Sequence, residues 1–424
     1  MACRMTSRER VRTALDHREP DRVPVDIGGT KVTGIHVDEY VEIGAWLGWD
    51  VTPPRVYEQF QMLARVEEPL RQWLRSDVIE LENVVETWGL ANADWKPWRT
   101  NLGNPVLVPG GFDPRPDGQG NLRLYDAAGT SIAVMAPTSR YFDRDVPTAM
   151  SAGDIAFTDP GAWKRSIPLY TDGELRTLER RARLLFESTD YSVHGGFARG
   201  ALGTNGLFAG HPIADWLCIL VTERAYAGEI LRATAERAVE NAELYLQAVG
   251  PFIDTILVSG TDFGSQRGEQ FNPDIFGELH LPNYRLINDA IHRRCAARTM
   301  FHSCGSIRNL IGHFIAAGVD ILNPVQTNAA NMEPDLLKRE FGDRIIFWGG
   351  GIDTQTVLPR GTVEEVTEQV RERVRIFGRG GGFVFAPVHN IQHGVPPRNV
   401  EAMVRAVARF GGYPLERNVN EDRR

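Results

Sequence analysis

A chain of 424 residues, 42% hydrophobic and 24% charged, has the composition of a soluble globular protein with a large core. Its 55 carboxylates outnumber its 47 lysines and arginines, for a net charge of −8, and no basic stripe is present, which argues against a nucleic-acid partner. Four scattered cysteines, Cys3, Cys218, Cys295 and Cys304, do not form a small disulfide framework; with no signal-like apolar core and no uncharged run of ~18 apolar residues, a cytoplasmic protein is expected.

In chain order, Thr6 or Ser7 caps a first helix whose apolar face carries Val11, Ala14 and Leu15, stopped by Pro20. A short strand follows at 22–29, ending in a glycine turn. Strand-type apolar runs recur at 77–81, 191–195, 255–259, 298–302, 319–323, 345–349 and 382–386. Helical patterns lie between most of them, at 222–249, 273–294, 306–317 and 362–377. Strands apolar throughout, alternating with helices, call for a parallel sheet buried on both faces. About eight such units predict a single α/β domain, a (β/α)8 TIM barrel spanning 1–424, with chemistry at the C-terminal strand ends. An open doubly wound sheet is the alternative, but no G-x-G-x-x-G follows the first strand. The stretch from about 95 to 150, rich in Gly, Pro and Asn, carries alternating pieces at 121–125 and 131–135 and reads as an inserted antiparallel β excursion. Residues 160–174 read as a loop back to the helical pattern, and 418–424 as a frayed tail.

The densest chemical signal is Phe301-His302-Ser303-Cys304-Gly305, closing one apolar run, with Pro387-Val388-His389-Asn390 in a late loop. An imidazole and a thiolate one residue apart at a strand end can reach one cation. His389 would add a third ligand and leave a fourth position open, the pattern of a catalytic rather than a structural zinc site. His and Cys at this spacing also occur in cores, where Cys acts as a small hydrophobe.

The segments Ser259-Gly260-Thr261-Asp262-Phe263-Gly264, His302-Ser303-Cys304-Gly305, Asp320-Ile321-Leu322-Asn323-Pro324, Trp348-Gly349-Gly350-Gly351-Ile352-Asp353 and Pro396-Pro397-Arg398-Asn399, with the opening Pro20-Asp21-Arg22-Val23-Pro24-Val25, resemble the uroporphyrinogen decarboxylase superfamily. The resemblance covers nearly the whole chain outside 95–174 and implies a single barrel. Decarboxylases of that superfamily hold an acidic tetrapyrrole with arginines after the first strand. Here that stretch reads Asp26-Ile27-Gly28-Gly29-Thr30-Lys31, and one lysine poorly replaces an arginine clamp. The chain is more similar to the corrinoid-dependent methyltransferase branch, whose thiol-methylating members carry zinc on an H-x-C pair and a later Cys. His389 stands where that Cys would be, a departure from the pattern.

The resemblance implies methyl transfer between a corrinoid, carried by a separate partner protein, and a thiol or tetrahydrofolate-type acceptor, with Zn2+ on His302, Cys304 and His389. Asp262 is the pocket carboxylate, as proton carrier, fourth ligand or support for a ligating imidazole; otherwise it caps a turn. Gln266 is assigned to the catalytic set, and Asn323 and Asp353 to cofactor contacts. Two further readings stand beside this one. The first is a decarboxylase using Lys31, Arg140, Arg144, Arg199 and Arg267 as a different cationic set; the second is a non-catalytic docking subunit. His36 and His194 lie near other strand ends, and His393 could compete with His389. Trp88, Trp95, Trp98, Trp216 and Trp348 could wall a planar ligand or simply pack.

Overall fold

The computed structural model describes residues 5–49, 52–146, 157–197, 199, 202–203 and 206–415. The expected tail at 418–424, the end of the insertion at 147–150 and Cys3 lie outside them. Seven parallel strands pair side by side in chain order: Val78–Leu81, Ser192–Gly195, Thr255–Ser259, Arg298–His302, Ile321–Asn323, Ile346–Trp348 and Phe383–Val384. The first predicted strand closes the ring without forming a full ladder. Val25 bridges Phe385 in parallel, and Asp77 N donates to Val25 O at 2.7 Å, so this segment lies between the last strand and the first of the seven. The (β/α)8 barrel expected from the alternation is the observed fold.

The barrel holds its own core. Val78, Leu257, Met300, Ile321, Ile346, Trp348 and Val384 pack together with Val11 and Leu15 of the helix Ser7–Leu15, which plugs the N-terminal end. That end is locked by Asp77, which is fully buried and accepts from Ser7 Oγ, Arg10 Nη1 and Arg22 Nη1, each at 2.7 Å, and from Val25 N at 2.9 Å. A buried charge is tolerable only when paired and hydrogen-bonded to this degree. Helices such as Arg224–Val249, Leu281–Arg294, Val363–Phe377 and Pro397–Phe410 cover the outside. No helix among the described residues is long and apolar enough to cross a membrane.

The inserted excursion is a hairpin, Lys96–Arg99 with Pro105–Val108, followed by a four-stranded antiparallel sheet from Arg115 to Arg144. Edge-to-face contacts join Trp98 to Phe112, Phe112 to Phe142, and Phe142 to Trp88. One expectation fails. Residues 160–174 are not a loop: a helix runs over Pro160–Ser166, and a second over Asp172–Ser188. Asp159 caps Ala162 N ahead of a proline in the first turn, and Thr171 with Glu174 forms a capping box. Pro160, Thr171 and Glu174 are helix-start signals.

Candidate metal centre

The strand Arg298–His302 delivers His302 to the mouth of the barrel, and the chain turns at once through Cys304. The turn needs its glycine. Gly305 has φ +92, and a Cβ there would lie 2.4 Å from the carbonyl carbon of Gly264. The backbone at 304–305 therefore presses against the loop carrying Asp262, and Asp262 Oδ1 accepts from Cys304 N at 2.7 Å. Cys304 Sγ comes to 3.5 Å from His302 Nε2. Two ligands sharing a tetrahedral zinc, at about 2.3 Å for sulfur and about 2.05 Å for nitrogen, would be about 3.5 Å apart.

His389 arrives from the loop after the last strand. Val388 N donates to Ile352 O and Ile391 N to Gly34 O, both at 2.9 Å, while Asn390 Oδ1 accepts from Gly34 N at 2.5 Å. Between these anchors His389 is held at φ +67, an uncommon conformation for a residue with a Cβ, of the kind that persists where the surroundings impose it. The His302 and His389 ring centroids are 5.1 Å apart, and one donor atom from each of His302, Cys304 and His389 lies within 4.8 Å of the other two.

The protonation states suit a cation. Asn323 Nδ2 donates to Trp348 O at 2.8 Å, so its Oδ1, 2.6 Å from His302 Nδ1, must accept. His302 Nδ1 therefore carries a hydrogen, and Nε2 is the nitrogen that faces Cys304. Burial, and then the neighbouring His302, push His389 down to about 3, which leaves it neutral. Burial, and then the Asp262 charge, hold the Cys304 thiol well above its usual range, so its thiolate needs a compensating cation. A neutral His389 imidazole, a His302 Nε2 turned inward and a buried thiol awaiting ionisation form a donor set that fits zinc.

The remaining predicted residues fall in distinct places. Asp262, partly exposed, also sits 3.8 Å from His302 Nε2. Gln266 is exposed and joins a run of amides, accepting from Gln326 Nε2 at 3.0 Å and donating to Gln355 Oε1 at 2.7 Å; Gln326 Oε1 in turn accepts from Gly305 N at 2.8 Å. Asp353 is spent on its own turn, with Oδ1 accepting from Gln355 N, Thr356 N and Asn328 Nδ2. His36 caps the helix Val37–Trp46, and His194 is buried with Nδ1 2.8 Å from Thr255 Oγ1. His393 turns toward Glu42, away from the His302 group. The tryptophans pack: Trp216 and Trp348 are wholly enclosed, and Trp95 lies under Arg65.

A feature the sequence reading passed over lies in the run at 77–81. Glu80 is buried, with Oε2 accepting from Tyr57 Oη at 3.2 Å and Oε1 3.4 Å from Lys31 Nζ; Lys31 also meets Glu86 Oε2 at 3.2 Å. Burial pushes Glu80 up to about 7 and the nearby Glu58 up to about 6. Burial would lower Lys31, but the charges of Glu86, Glu80 and Glu58 overturn that and hold it above the usual lysine value. The one available signal was an acidic residue at inward strand parity, inside an otherwise apolar segment.

With this geometry in view, the chain can be compared with known proteins. The uroporphyrinogen decarboxylase (URO-D) family pattern matches residues 212–410. That match spans a little under half of the chain, and over that part the chain is similar to the uroporphyrinogen decarboxylase superfamily. The matched part includes His302, Cys304 and His389 but neither Lys31 nor the β insertion. A methyltransferase from Methanosarcina mazei shares the fold over 96% of this chain and 99% of its own, with a TM-score of 0.56 at 15% identity. Partial overlaps join the chain to the Ignisphaera aggregans GH53 catalytic domain (TM-score 0.29, 10% identity, 66% of this chain and 91% of that one). They also join it to the homocysteine methyltransferase MmuM from Escherichia coli in apo form (TM-score 0.23, 15% identity, 61% and 78%). No curated protein matches in sequence.

Proposed function

We propose that the protein is a zinc-dependent methyltransferase of this superfamily, working in the cytoplasm, which moves a methyl group between a corrinoid on a partner protein and a small thiol or tetrahydrofolate-type acceptor. The observation that carries the reading is the convergence of His302, Cys304 and His389 donor atoms within 4.8 Å. These three residues would hold the ion, which when bound supplies Lewis acidity and lowers the pKa of an acceptor thiol. Asn323 keeps His302 Nε2 turned toward that position, and Gln266 acts through Gln326 to fix the turn after Cys304. Asp262, partly exposed beside His302, receives the proton that the acceptor gives up.

The acidic tetrapyrrole reading is weaker on this structure. Lys31 is already neutralised by Glu80 and Glu86, and Arg199 pairs with Glu174 at 2.8 Å over the Tyr170 ring, so neither is a free anchor for a polycarboxylate. The buried Glu58, Glu80 and Glu86 against one ammonium favour an acceptor that is not polyanionic. Zinc content of untagged protein, and loss of methyl groups from free methylcobalamin on adding a thiol panel, test the proposal. Expected are bound zinc and thiol-dependent demethylation, both lost in Cys304→Ala. Less than about a tenth of an equivalent of zinc, unchanged by that substitution, ends the reading.

A further inference from the structure

The loop that supplies His389 carries a second imidazole four residues on, and it faces a different set of donors. Glu39, Glu42 and His393 each offer one ligand atom within 4.8 Å of the other two. Glu39 and Glu42 stand three apart on the helix Val37–Trp46, which puts both carboxylates on one face. His393 Nδ1 lies 3.4 Å from Glu42 Oε1 yet makes no hydrogen bond. Neither residue has been given a role by the site described above.

Glu39 is what turns this group from a surface feature into a site. Its side chain is 0% exposed, its Oε2 accepts from Gly394 N at 3.1 Å, and its Oε1 has no hydrogen-bond partner among the described residues. No lysine or arginine pairs with it among the described ion pairs. Burial, and then the Glu42 charge, push Glu39 up to about 8, so its charged form is costly with only backbone amides for partners and is favoured by a bound cation. His36, whose ring centroid is 6.5 Å from that of His393, cannot supply the missing charge as a ligand. Its Nδ1 accepts from Asp38 N, and its Nε2 is engaged with Arg140 O at 2.8 Å.

We propose that Glu39, Glu42 and His393 bind a second divalent cation, of the zinc, manganese or cobalt type, separate from the His302 centre. Two carboxylates and one imidazole form a mixed oxygen and nitrogen set suited to such ions, with solvent completing the shell on the Glu42 side, where that side chain is 42% exposed. The ion pins the 389–395 loop to the helix at 37–46. It therefore braces the strained segment that presents His389, and the brace and the first centre share one loop.

The test uses full-length, untagged protein stripped with a chelator and dialysed against buffered Zn2+ or Co2+. In a His302→Ala, Cys304→Ser background one equivalent should remain, and it should be lost in His393→Ala and in the isosteric Glu39→Gln. Cobalt in that background should give d–d bands without thiolate charge transfer, because no sulfur is present. Loss of all metal in the double-variant background, with the far-ultraviolet circular dichroism unchanged, overturns the proposal. So does an equivalent that survives both His393→Ala and Glu39→Gln. The two centres fail separately: wild type holding one sulfur-free equivalent would retain this site and remove the first, while one thiolate-bound equivalent would do the reverse.

Discussion

Asn323 decides which nitrogen of His302 is available. With Nδ2 committed to Trp348 O, its oxygen holds a hydrogen on Nδ1 and leaves Nε2 for the cluster. Asn323→Ala frees the ring to rotate and to change tautomer, so zinc affinity should fall about 10- to 100-fold while the fold persists; competition with a chromophoric chelator measures it. Unchanged affinity would mean that the asparagine only fills space. Cys304 adds a pH dependence. Since burial and Asp262 raise its thiol, metal uptake must displace a proton, and affinity should rise with pH. Asp262→Asn removes the raising charge, and the pH of half-loading should shift downward. The H-x-C pair and the late histidine were legible as candidate ligands from residue type and spacing alone. The role of Asn323 was not, because an amide at a strand end looks the same whether it meets a ligand, a loop backbone or an imidazole.

At the scale of elements, the turn after the Arg298–His302 strand joins two segments far apart in sequence. Gly305 meets Gly264 backbone to backbone. Gly305→Ala must both adopt a left-handed φ and displace that loop, which should cost about 1–3 kcal/mol or more, read by urea unfolding, and should weaken metal binding through Asp262 and Cys304 together. A cost near zero would mean that the two loops are free to part. The capping boxes are local by comparison. Thr362 accepts from Glu365 N, and Glu365 accepts from Thr362 N. Thr362→Ala should cost about 1 kcal/mol with no effect on metal content. The alternation of buried strands and amphipathic helices was readable because each element's period is set within a few residues. The loop expected over 160–174 fails because Pro160, and Thr171 with Glu174, sit where helices begin.

Over the whole molecule, the two ends of the barrel do different work. The N-terminal end is closed by Asp77, whose removal leaves Arg10, itself 3% exposed, with Asp21 as its one remaining carboxylate partner among the described residues, beside the Met5 carbonyl. Asp77→Ala should destabilise by about 3–5 kcal/mol in chemical unfolding, without altering the donor geometry at the mouth. His194 lies deep in the same barrel, pushed down to about 3 by burial and then by the Lys31 charge. Its folded value is below the unfolded value of about 6.5, so the stability tied to its neutrality is complete above that pH and is lost as pH falls toward 3. Urea unfolding at pH 7 and pH 5 should give a smaller pH difference in His194→Gln than in wild type. An equal difference would assign the acid sensitivity elsewhere.

The amino-acid sequence by itself determined the barrel and singled out His302, Cys304 and His389 as candidate donors. Strand and helix periodicity, and the softness of sulfur and imidazole, are properties of residues and their near neighbours. Only the tertiary structure decided that His389 swings in beside His302 while His393, four residues later, swings out to Glu39 and Glu42. It also decided that Lys31 is spent on buried glutamates rather than left for a substrate. Those outcomes depend on where closing the ring places loops from opposite ends of the chain, and no local pattern encodes that distance.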